Sequence, residues 1–368
     1  MQFKDVFLTL NFYIFFVKNP LYSRYLTYFL VVQILFIQFV SRYPEKIEHY
    51  YSRGFYPFIA NFYRVIFGWI PFSIGDFIYA LLLLLIFRFI YVMIRDKFSE
   101  LRNYFFATGA AISIIYFIFH LNWGLNYYRT TLSTQLKIES NSYDTKKLIS
   151  YTKKIIYKTN DLHISLTGDK ALKTNIPYTQ KEIHKLAVNG YTNLNKIHPF
   201  LVSKNNSIKR SLWSPILNYT GFSGYLNPFT AEAQINYNIP LNSYISTTCH
   251  EIAHQLGYAA ENEANFIGYL ASIHNDDPYF KYAGQLDVLR RLLSEIYRED
   301  KKQFKKIKSM INPGVSKNLQ ELSEYWKQYK NPIEPLLKKC YDGYLKINKQ
   351  KNGIQSYHNM IGLLLNYK

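Results

Sequence analysis

The segment Thr248-Cys249-His250-Glu251-Ile252-Ala253-His254 carries the pattern from which the architecture of the C-terminal two-thirds of the chain follows. Side chains four positions apart lie on one face of an α-helix, so the two imidazoles of this His-Glu-x-x-His pattern can reach a single metal ion. Glu251 can take a proton from a zinc-bound water, whose pKa the metal lowers to about 7. The pattern predicts a helix over residues 242–257 with His250 and His254 as metal ligands.

A third ligand is expected among the acidic residues that follow this motif, because a catalytic zinc has three protein ligands and one open position. Glu261 and Glu263 lie seven and nine residues after His254. In a second helix, Glu261 would share a face with small or polar residues such as Asn265 and Gly268, whereas Glu263 would head an apolar face. We therefore favour Glu261 as the third ligand, with Glu263 as the alternative, and expect Asn265 to hydrogen-bond a histidine.

Other candidate site residues have weaker support from the sequence. Tyr225, Tyr237 and His274 are candidates for contacting the substrate or stabilising an oxyanion. The residues from 231 to 238 alternate in character and predict a strand. That strand is either the sheet edge that pairs with an extended peptide substrate or an ordinary core strand, and both interpretations stay open.

Three apolar stretches precede this region, at about residues 25–41, 72–94 and 104–121. Each approaches the roughly 20 residues that a helix needs to cross a bilayer. In the third stretch Gly109, Ala110 and Ala111 offer a small face for helix packing. Between the first two, residues 42–71 are dense in aromatic side chains, as is typical of a segment in the membrane interface. Buried core helices are the alternative interpretation.

The basic residues predict an orientation for these three spans. The short loop between the second and third spans carries Arg95, Lys97 and Arg102. The positive-inside rule then places this loop and the N-terminus in the cytoplasm, and three crossings place the chain after about residue 122 outside. We therefore expect a protein integral to the cytoplasmic membrane with an extracytoplasmic C-terminal domain.

The chain after the spans is expected to be mostly helical. The predicted helices cover residues 144–158, 179–197, 262–275, 279–298, 318–328 and 331–347, and a polar loop is expected over residues 159–178. The predicted fold is mainly α with a small β-sheet. A membrane domain over residues 1–121, with a bundle of three transmembrane helices, is followed by an α+β metal-binding domain over residues 122–368.

Composition excludes several classes of protein. With 48% hydrophobic and 18% aromatic residues, the chain can bury a core and is not disordered. The net charge of +19 is spread along the chain without a nucleic-acid-binding motif, so we expect no nucleic-acid partner. Two cysteines, Cys249 and Cys340, are too few for a disulfide framework or a cysteine-rich zinc module.

The motif and the residues around it resemble known families. His250-Glu251-x-x-His254 followed by Glu261-x-x-Ala264-Asn265 resembles the gluzincin pattern, in which a glutamate on a second helix completes the zinc site. Several membrane-embedded gluzincins have Asp at the position of Asn265. Over most of its length the chain is similar to a bacterial membrane family called domain of unknown function 3810. The matching stretches are Trp123-Gly124-Leu125-Asn126-Tyr127-Tyr128-Arg129, Gly224-Tyr225-Leu226-Asn227-Pro228-Phe229-Thr230-Ala231-Glu232-Ala233, and the motif through Leu270.

The resemblance implies a zincin-like domain with one Zn²⁺. The leading functional hypothesis is a membrane-anchored zinc metallopeptidase that hydrolyses peptide or protein substrates with a water activated by Glu251. The alternative is a non-catalytic, zinc-containing membrane sensor or scaffold of the same fold. Glu251 favours catalysis, because a purely structural metal site needs no base beside the metal.

Overall fold

A computed structural model of the chain describes residues 12–139, 142–348, 350 and 357–367. Contacts within the chain group its residues into two units, and each unit is built from separate segments. The first unit comprises Met1–Tyr56, Ile74–Arg129 and Pro228–Thr230. The second comprises Pro57–Ser73, Thr130–Asn227 and Ala231–Lys368. Of the segment between the first two apolar helices, Pro57–Ser73 therefore belongs to the same unit as the metal motif.

Helices account for nearly all of the described chain up to Tyr128. In order these are α1 (Phe12–Lys18), α2 (Pro20–Val40), α3 (Pro44–Lys46), a π-helix (Ile47–Phe55), α4 (Tyr56–Gly68), α5 (Ile74–Arg95), α6 (Leu101–Asn122) and a 3₁₀-helix (Gly124–Tyr128). Helices α2, α5 and α6 are long and apolar enough to cross a membrane. The three predicted stretches are confirmed as such helices. The first starts earlier than predicted because Pro20, with its fixed φ, begins the helix.

Helices α2 and α6 of the first unit pack closely. A Cβ added to Gly109 would lie only 2.6 Å from side-chain atoms of Thr27, so the glycine is needed for this approach. The Thr27 hydroxyl donates to the Phe106 carbonyl at 2.9 Å, and the Gln33 amide donates to the Ser113 hydroxyl at 2.8 Å. Ala110 is fully buried nearby. The predicted small face of the third apolar stretch is therefore a packing face.

The described chain from Thr130 onward combines helices with a small sheet. In order the elements are α7 (Leu132–Gln135), α8 (Thr145–Thr167), α9 (Gln180–Ile197), β1 (Ile208–Arg210), α10 (Ser214–Thr220), β2 (Gly224–Leu226), β3 (Ala233–Ile235), α11 (Leu241–Gln255), α12 (Glu261–Ile273), α13 (Pro278–Glu299), α14 (Lys301–Lys308), α15 (Pro313–Gln328), α16 (Glu334–Ile347) and α17 (Tyr357–Asn366). The predicted class, mainly α with a small sheet, is confirmed at this level.

The loop predicted over residues 159–178 is wrong in its first half, because α8 continues through Thr167. Thr159 and His163 extend the buried face of Ile155 by one and two turns, and both are fully buried although they are polar. The Thr159 hydroxyl donates to the Ile155 carbonyl at 2.7 Å, which satisfies it inside the core. The helix ends where Gly168 adopts the left-handed conformation, with φ of 70°.

The sheet has three strands in the order β1-β3-β2. Strand β1 pairs parallel to β3, and β2 pairs antiparallel to it. The interpretation of residues 231–238 as an edge strand is therefore wrong, since β3 is central and fully buried. Polar side chains in β3 and directly after it have partners inside the unit: the Gln234 amide donates to the Ser73 hydroxyl, and the Asn236 amide donates to Asn218 at 2.8 Å. Strand β2 forms one edge.

The motif helix α11 lies in the core of the second unit. Helix α12 approaches it so closely that a Cβ on Gly268 would lie 2.9 Å from the His250 backbone nitrogen. Ile252 and Ala253 of α11 and Phe266 of α12 are fully buried in the same hydrophobic core. The predicted small face on the second helix thus brings the start of α12 next to the histidines. Both cysteines are free thiols, Cys249 buried and Cys340 exposed.

Candidate metal centre

Helix α11 presents the two histidines to one point. The helix ends at Gln255, and Gly257 follows with a φ of 86°. This agrees with the predicted helix to within two residues. The rings of His250 and His254 have centroids 4.6 Å apart and planes at 87°. The i,i+4 spacing therefore produces the convergence that the sequence predicted.

Glu261, the first residue of α12, completes a group of three. One carboxylate oxygen lies 3.3 Å from His250 Nε2 and the other lies 3.6 Å from His254 Nε2. The three ligand atoms lie within 4.8 Å of one another, so the group could hold a metal ion. Ligands at ~2.0–2.1 Å from a tetrahedral zinc are ~3.4 Å apart. Two imidazole nitrogens and a carboxylate oxygen are a donor set that zinc accepts, so the residues present are compatible with that metal.

The tautomer of His254 is set by the backbone. Its Nδ1 lies 2.6 Å from the Tyr258 carbonyl, which can only accept, so Nδ1 carries the proton. When the ring is neutral, Nε2 therefore has the lone pair that a metal ion needs, on the side of Glu261. The Tyr258 hydroxyl in turn donates to Gln135 at 2.7 Å, which fixes the turn that supplies the carbonyl. Such a support orients a metal-binding imidazole and raises its basicity.

Glu251 is buried beside this group but is not part of it. Its side chain is 3% exposed, and its Oε1 lies 3.9 Å from His250 Nε2. Within the described part of the chain, Oε2 is buried without a hydrogen-bond partner. Burial is the main reason that the pKa of Glu251 rises to about 8, with Glu261 adding to the effect and His254 opposing it. A carboxyl group of this kind can both accept and hold a proton near neutral pH.

Strand β2 closes one side of Glu251. A Cβ on Gly224 would lie 2.9 Å from Glu251 Oε1 and 2.8 Å from the Gln234 carbonyl. Any larger residue at position 224 would therefore press on the carboxylate or separate β2 from β3. The edge strand of the sheet thus runs directly past the acidic group.

The charges of the three ligands are coupled. Burial disfavours the charged form of Glu261, but the neighbouring His250 and His254 outweigh burial and hold the pKa of Glu261 well below the usual range. Burial likewise opposes charge on His254, yet Glu261 and Glu251 raise its pKa to about 9. The pKa of His250 is lowered, mainly by burial. A cation binding here would have to displace a proton from His254.

The alternative third ligand, Glu263, points elsewhere. Its Oε1 accepts a hydrogen bond of 2.7 Å from the Leu132 backbone N–H. Asn265 does not form the predicted hydrogen bond to a histidine in the described structure. Its amide donates to the Glu261 backbone carbonyl at 2.6 Å and accepts from Arg291 at 2.9 Å. Asn265 therefore stabilises the first turn of α12, because its side chain reaches the backbone carbonyl of Glu261, four residues earlier in the same helix.

The three weaker candidates differ in position. Tyr225 is half-buried on β2, directly after Gly224 and opposite Gln234. The ring of Tyr237 packs beneath the Arg210 guanidinium at 4.7 Å. His274 follows the last residue of α12, so it lies about 20 Å along the helix from Glu261. Only Tyr225 is next to a residue that borders Glu251.

Tyr341, on α16, is a residue next to the metal group that was not predicted from the sequence. Its hydroxyl donates to Glu261 Oε1 at 2.9 Å, and its ring meets Phe222 edge-on with centroids 5.0 Å apart. No local pattern could have identified it, since it is 80 residues from Glu261 and one of 35 tyrosines. A structure was needed to single it out.

Comparison with known proteins identifies the family of this chain. It belongs to the family described as "Protein of unknown function (DUF3810)", whose model matches residues 51–365. This confirms the similarity to that family inferred from the sequence. Neither the curated proteins nor the solved structures contain a match to the chain. The match runs through both units and includes the complete group of His250, His254 and Glu261.

Proposed function

We propose that the chain is a membrane-anchored zinc-dependent metallopeptidase of the gluzincin type, with a zincin-like catalytic domain. The observation that carries this proposal is that the three candidate metal ligands and the candidate proton acceptor are different residues lying side by side. His250, His254 and Glu261 form a three-ligand group, while Glu251 lies beside it as a buried carboxyl group outside the group. Three ligands leave a fourth position of zinc open for water or substrate, as in catalytic rather than structural sites.

Zinc suits this donor set, since two imidazoles and a carboxylate are the protein ligands of several catalytic zinc sites. When bound, the ion would polarise a peptide carbonyl and make a water molecule acidic. Glu251 would take the proton of that water at Oε2, the oxygen that has no partner in the described structure. It would then pass the proton to the leaving amine.

The edge strand β2 offers a place for the substrate backbone. Strand β2 lies at one edge of the sheet, and a sheet edge is where an extended peptide can be added through main-chain hydrogen bonds. Gly224 brings this edge against Glu251, so a peptide paired with β2 would pass close to the proton-accepting carboxylate. The substrate-pairing role that the sequence suggested for residues 231–238 therefore moves to residues 224–226. Tyr225 is the candidate side chain for contacting that peptide.

The proposal includes a cellular location. We call the second unit, which contains His250, His254 and Glu261, the metal unit. With the N-terminus and the loop between α5 and α6 in the cytoplasm, three crossings place the metal unit outside the cytoplasmic membrane. The basic residues Arg95, Lys97 and Arg102 support this orientation. Reporter fusions after residue 130 test it: an alkaline phosphatase fusion should be active. A green fluorescent protein fusion that fluoresces instead would reverse the orientation.

The decisive experiment compares wild type with Glu251→Gln and His254→Ala as full chains purified in detergent. We expect one zinc per chain in wild type and Glu251→Gln, and little zinc in His254→Ala. Cleavage of a fluorogenic peptide library should fall by ~10²–10⁴-fold in Glu251→Gln, because proton transfer is lost while the metal stays. One zinc per chain together with no cleavage by wild type would favour the alternative, a non-catalytic zinc-containing sensor or scaffold.

A further inference from the structure

Helix α4 is anchored to the metal unit along its inner face. The buried guanidinium of Arg64 donates to the Gln255 carbonyl at 3.0 Å, at the last residue of the metal helix and one position after His254. Lys209 donates to the Phe67 and Gly68 carbonyls at 3.2 and 2.9 Å. A lysine at this end neutralises the negative end of the helix dipole. The helix is therefore held to the unit near its middle and at its C-terminal end.

The outer face of α4 and the turn after it are apolar and exposed. We define the α4 outer face as four residues whose exposed fractions are 72% for Phe58, 53% for Phe62, 56% for Val65 and 79% for Trp69. At about 100° per residue their directions fall within an arc of ~60°. Ala60 and Arg64, on the opposite side, are buried. A contiguous apolar stripe of this kind is typical of a surface that contacts another protein or a membrane.

The course of the chain points to the bilayer as the partner of the α4 outer face. Helix α4 lies between two membrane-spanning candidates, since α2 ends at Val40 and α5 begins at Ile74. Trp69 is five residues before Ile74, the first residue of α5. Two crossings, α5 and α6, separate α4 from the chain after Thr130. They return the chain to the same side of the membrane, in agreement with the presence of both segments in one unit.

The residue types of the α4 outer face fit the interfacial layer of a membrane. Tryptophan and phenylalanine are favoured at the level of the lipid headgroups, and a helix lying in this layer buries its apolar face by roughly 5–10 Å. The face carries no charged residue that would have to leave water. A second copy of the chain is the other occupant that an apolar stripe could have, and the experiment below separates the two.

We propose that the α4 outer face rests in the interfacial layer of the bilayer and holds the metal unit against the membrane surface. If the function proposed above holds, the substrates are peptide segments close to the bilayer, such as the membrane-proximal parts of anchored proteins. Through Arg64 the membrane-bound helix is joined to the residue after His254, so the docking fixes the metal helix itself.

The docking is tested without any reference to catalysis. Single cysteines replace Phe58, Phe62 or Trp69 in a Cys340→Ser background, in which the remaining Cys249 is buried. Lys185→Cys, on an exposed position of α9, is the matched control. The full chains carry an environment-sensitive fluorophore in phosphatidylcholine–phosphatidylglycerol vesicles. We expect lipids with a spin label on the acyl chain to quench the three α4 labels at least threefold more than the control label.

Two results would overturn the docking. Quenching of the α4 labels by aqueous iodide but not by labelled lipid would place the face in water. Protection from both quenchers that is lost on dilution of the protein in the vesicles would identify a second copy as the occupant.

The substrate class is tested separately. Phe62→Asp/Trp69→Asp is compared with Leu172→Asp, which changes an apolar residue of similar exposure away from α4. Each variant is assayed with one peptide sequence, either lipid-anchored in vesicles or free in solution. We compare kcat/KM for the anchored peptide with kcat/KM for the free peptide. Their ratio should fall about tenfold in the α4 variant and stay constant in the control. An unchanged ratio would overturn the substrate class. Failure of wild type to cleave either peptide would instead reject the proposed function, leaving the quenching result valid.

Discussion

Helices α5 and α11 differ from ordinary helices in opposite ways: α5 exposes apolar side chains, whereas α11 buries polar ones. The most apolar stretch of α5 has a mean hydropathy of 2.6, and none of it is buried. Helix α11 buries Thr248, Glu251, His254 and Gln255 although all four are polar. An exposed apolar surface and a buried polar group are the two departures that carry information about function. The first suits contact with lipid, and the second concentrates reactive groups where water cannot compete with them.

The largest effect that we expect separates the two glutamates of α12 and tests the buried polar side of this comparison. Glu261→Ala removes one of three ligands, so zinc affinity should fall by more than the ~10–100-fold typical of losing a supporting hydrogen bond. Glu263→Ala removes the acceptor of the Leu132 N–H and should lower Tm while zinc stays at one per chain. Competition with a chromophoric chelator measures both. A loss of zinc affinity in Glu263→Ala alone would mean that the metal binds elsewhere.

The next effect tests the exposed apolar side. Leu84 lies near the middle of α5 and is 65% exposed. An arginine at the centre of a membrane-spanning helix costs ~2.5–3.5 kcal/mol of insertion free energy, so Leu84→Arg should reduce the membrane-inserted fraction strongly. Leu212→Arg, on a similarly exposed leucine of the metal unit, should stay within ~0.5 kcal/mol of wild type. Resistance to alkaline carbonate extraction measures insertion, and equal behaviour of the two variants would argue against a spanning role for α5.

The pH dependence of metal binding probes the charges around α11. In the metal-free chain Glu261 and Glu251 outweigh burial and raise the pKa of His254 to about 9, so this imidazole is protonated at neutral pH. Zinc binds the neutral ring, and a lower pH therefore weakens binding by about tenfold per pH unit below pH 9. Calorimetry in buffers of different ionisation enthalpy should detect about one proton released at pH 7.5. Affinity that does not change between pH 7 and 9 would contradict the coupling of His254 to its two glutamates.

The parts of the site that the sequence predicted are those fixed by local helix geometry. His250 and His254 converge because residues four apart share a face, and Glu261 follows His254 by seven residues, at the start of the next helix. The apolar helices were predictable for the same reason, since length and hydropathy are local properties. Helix α8 was cut short in the prediction because Thr159 is polar, although it is buried and satisfied by its own helix.

The parts that the sequence did not predict depend on contacts between distant segments. Strand β3 is central only because residues 208–210 pair with it in parallel, 25 positions away in register. A three-residue strand gives no periodic pattern to detect. The contacts of Asn265 also depend on Arg291, from another helix, which accounts for the failure of the predicted hydrogen bond to a histidine.

The smallest effect that we expect concerns Tyr341, the distant residue that reaches the metal group. Its hydroxyl donates to Glu261, and its ring contacts Phe222 and stacks on Tyr344 with centroids 6.1 Å apart. Tyr341→Phe removes the oxygen and keeps the ring contacts, so Tm should change little. Hydrogen bonds that support a metal ligand contribute ~10–100-fold to metal affinity. We therefore expect zinc affinity to fall in Tyr341→Phe by about tenfold, the lower end of that range. Tyr344→Phe is the control, since it leaves the hydroxyl on Glu261 in place. Unchanged zinc affinity with a reduced kcat would contradict this positioning role and assign the Tyr341 hydroxyl to the substrate instead.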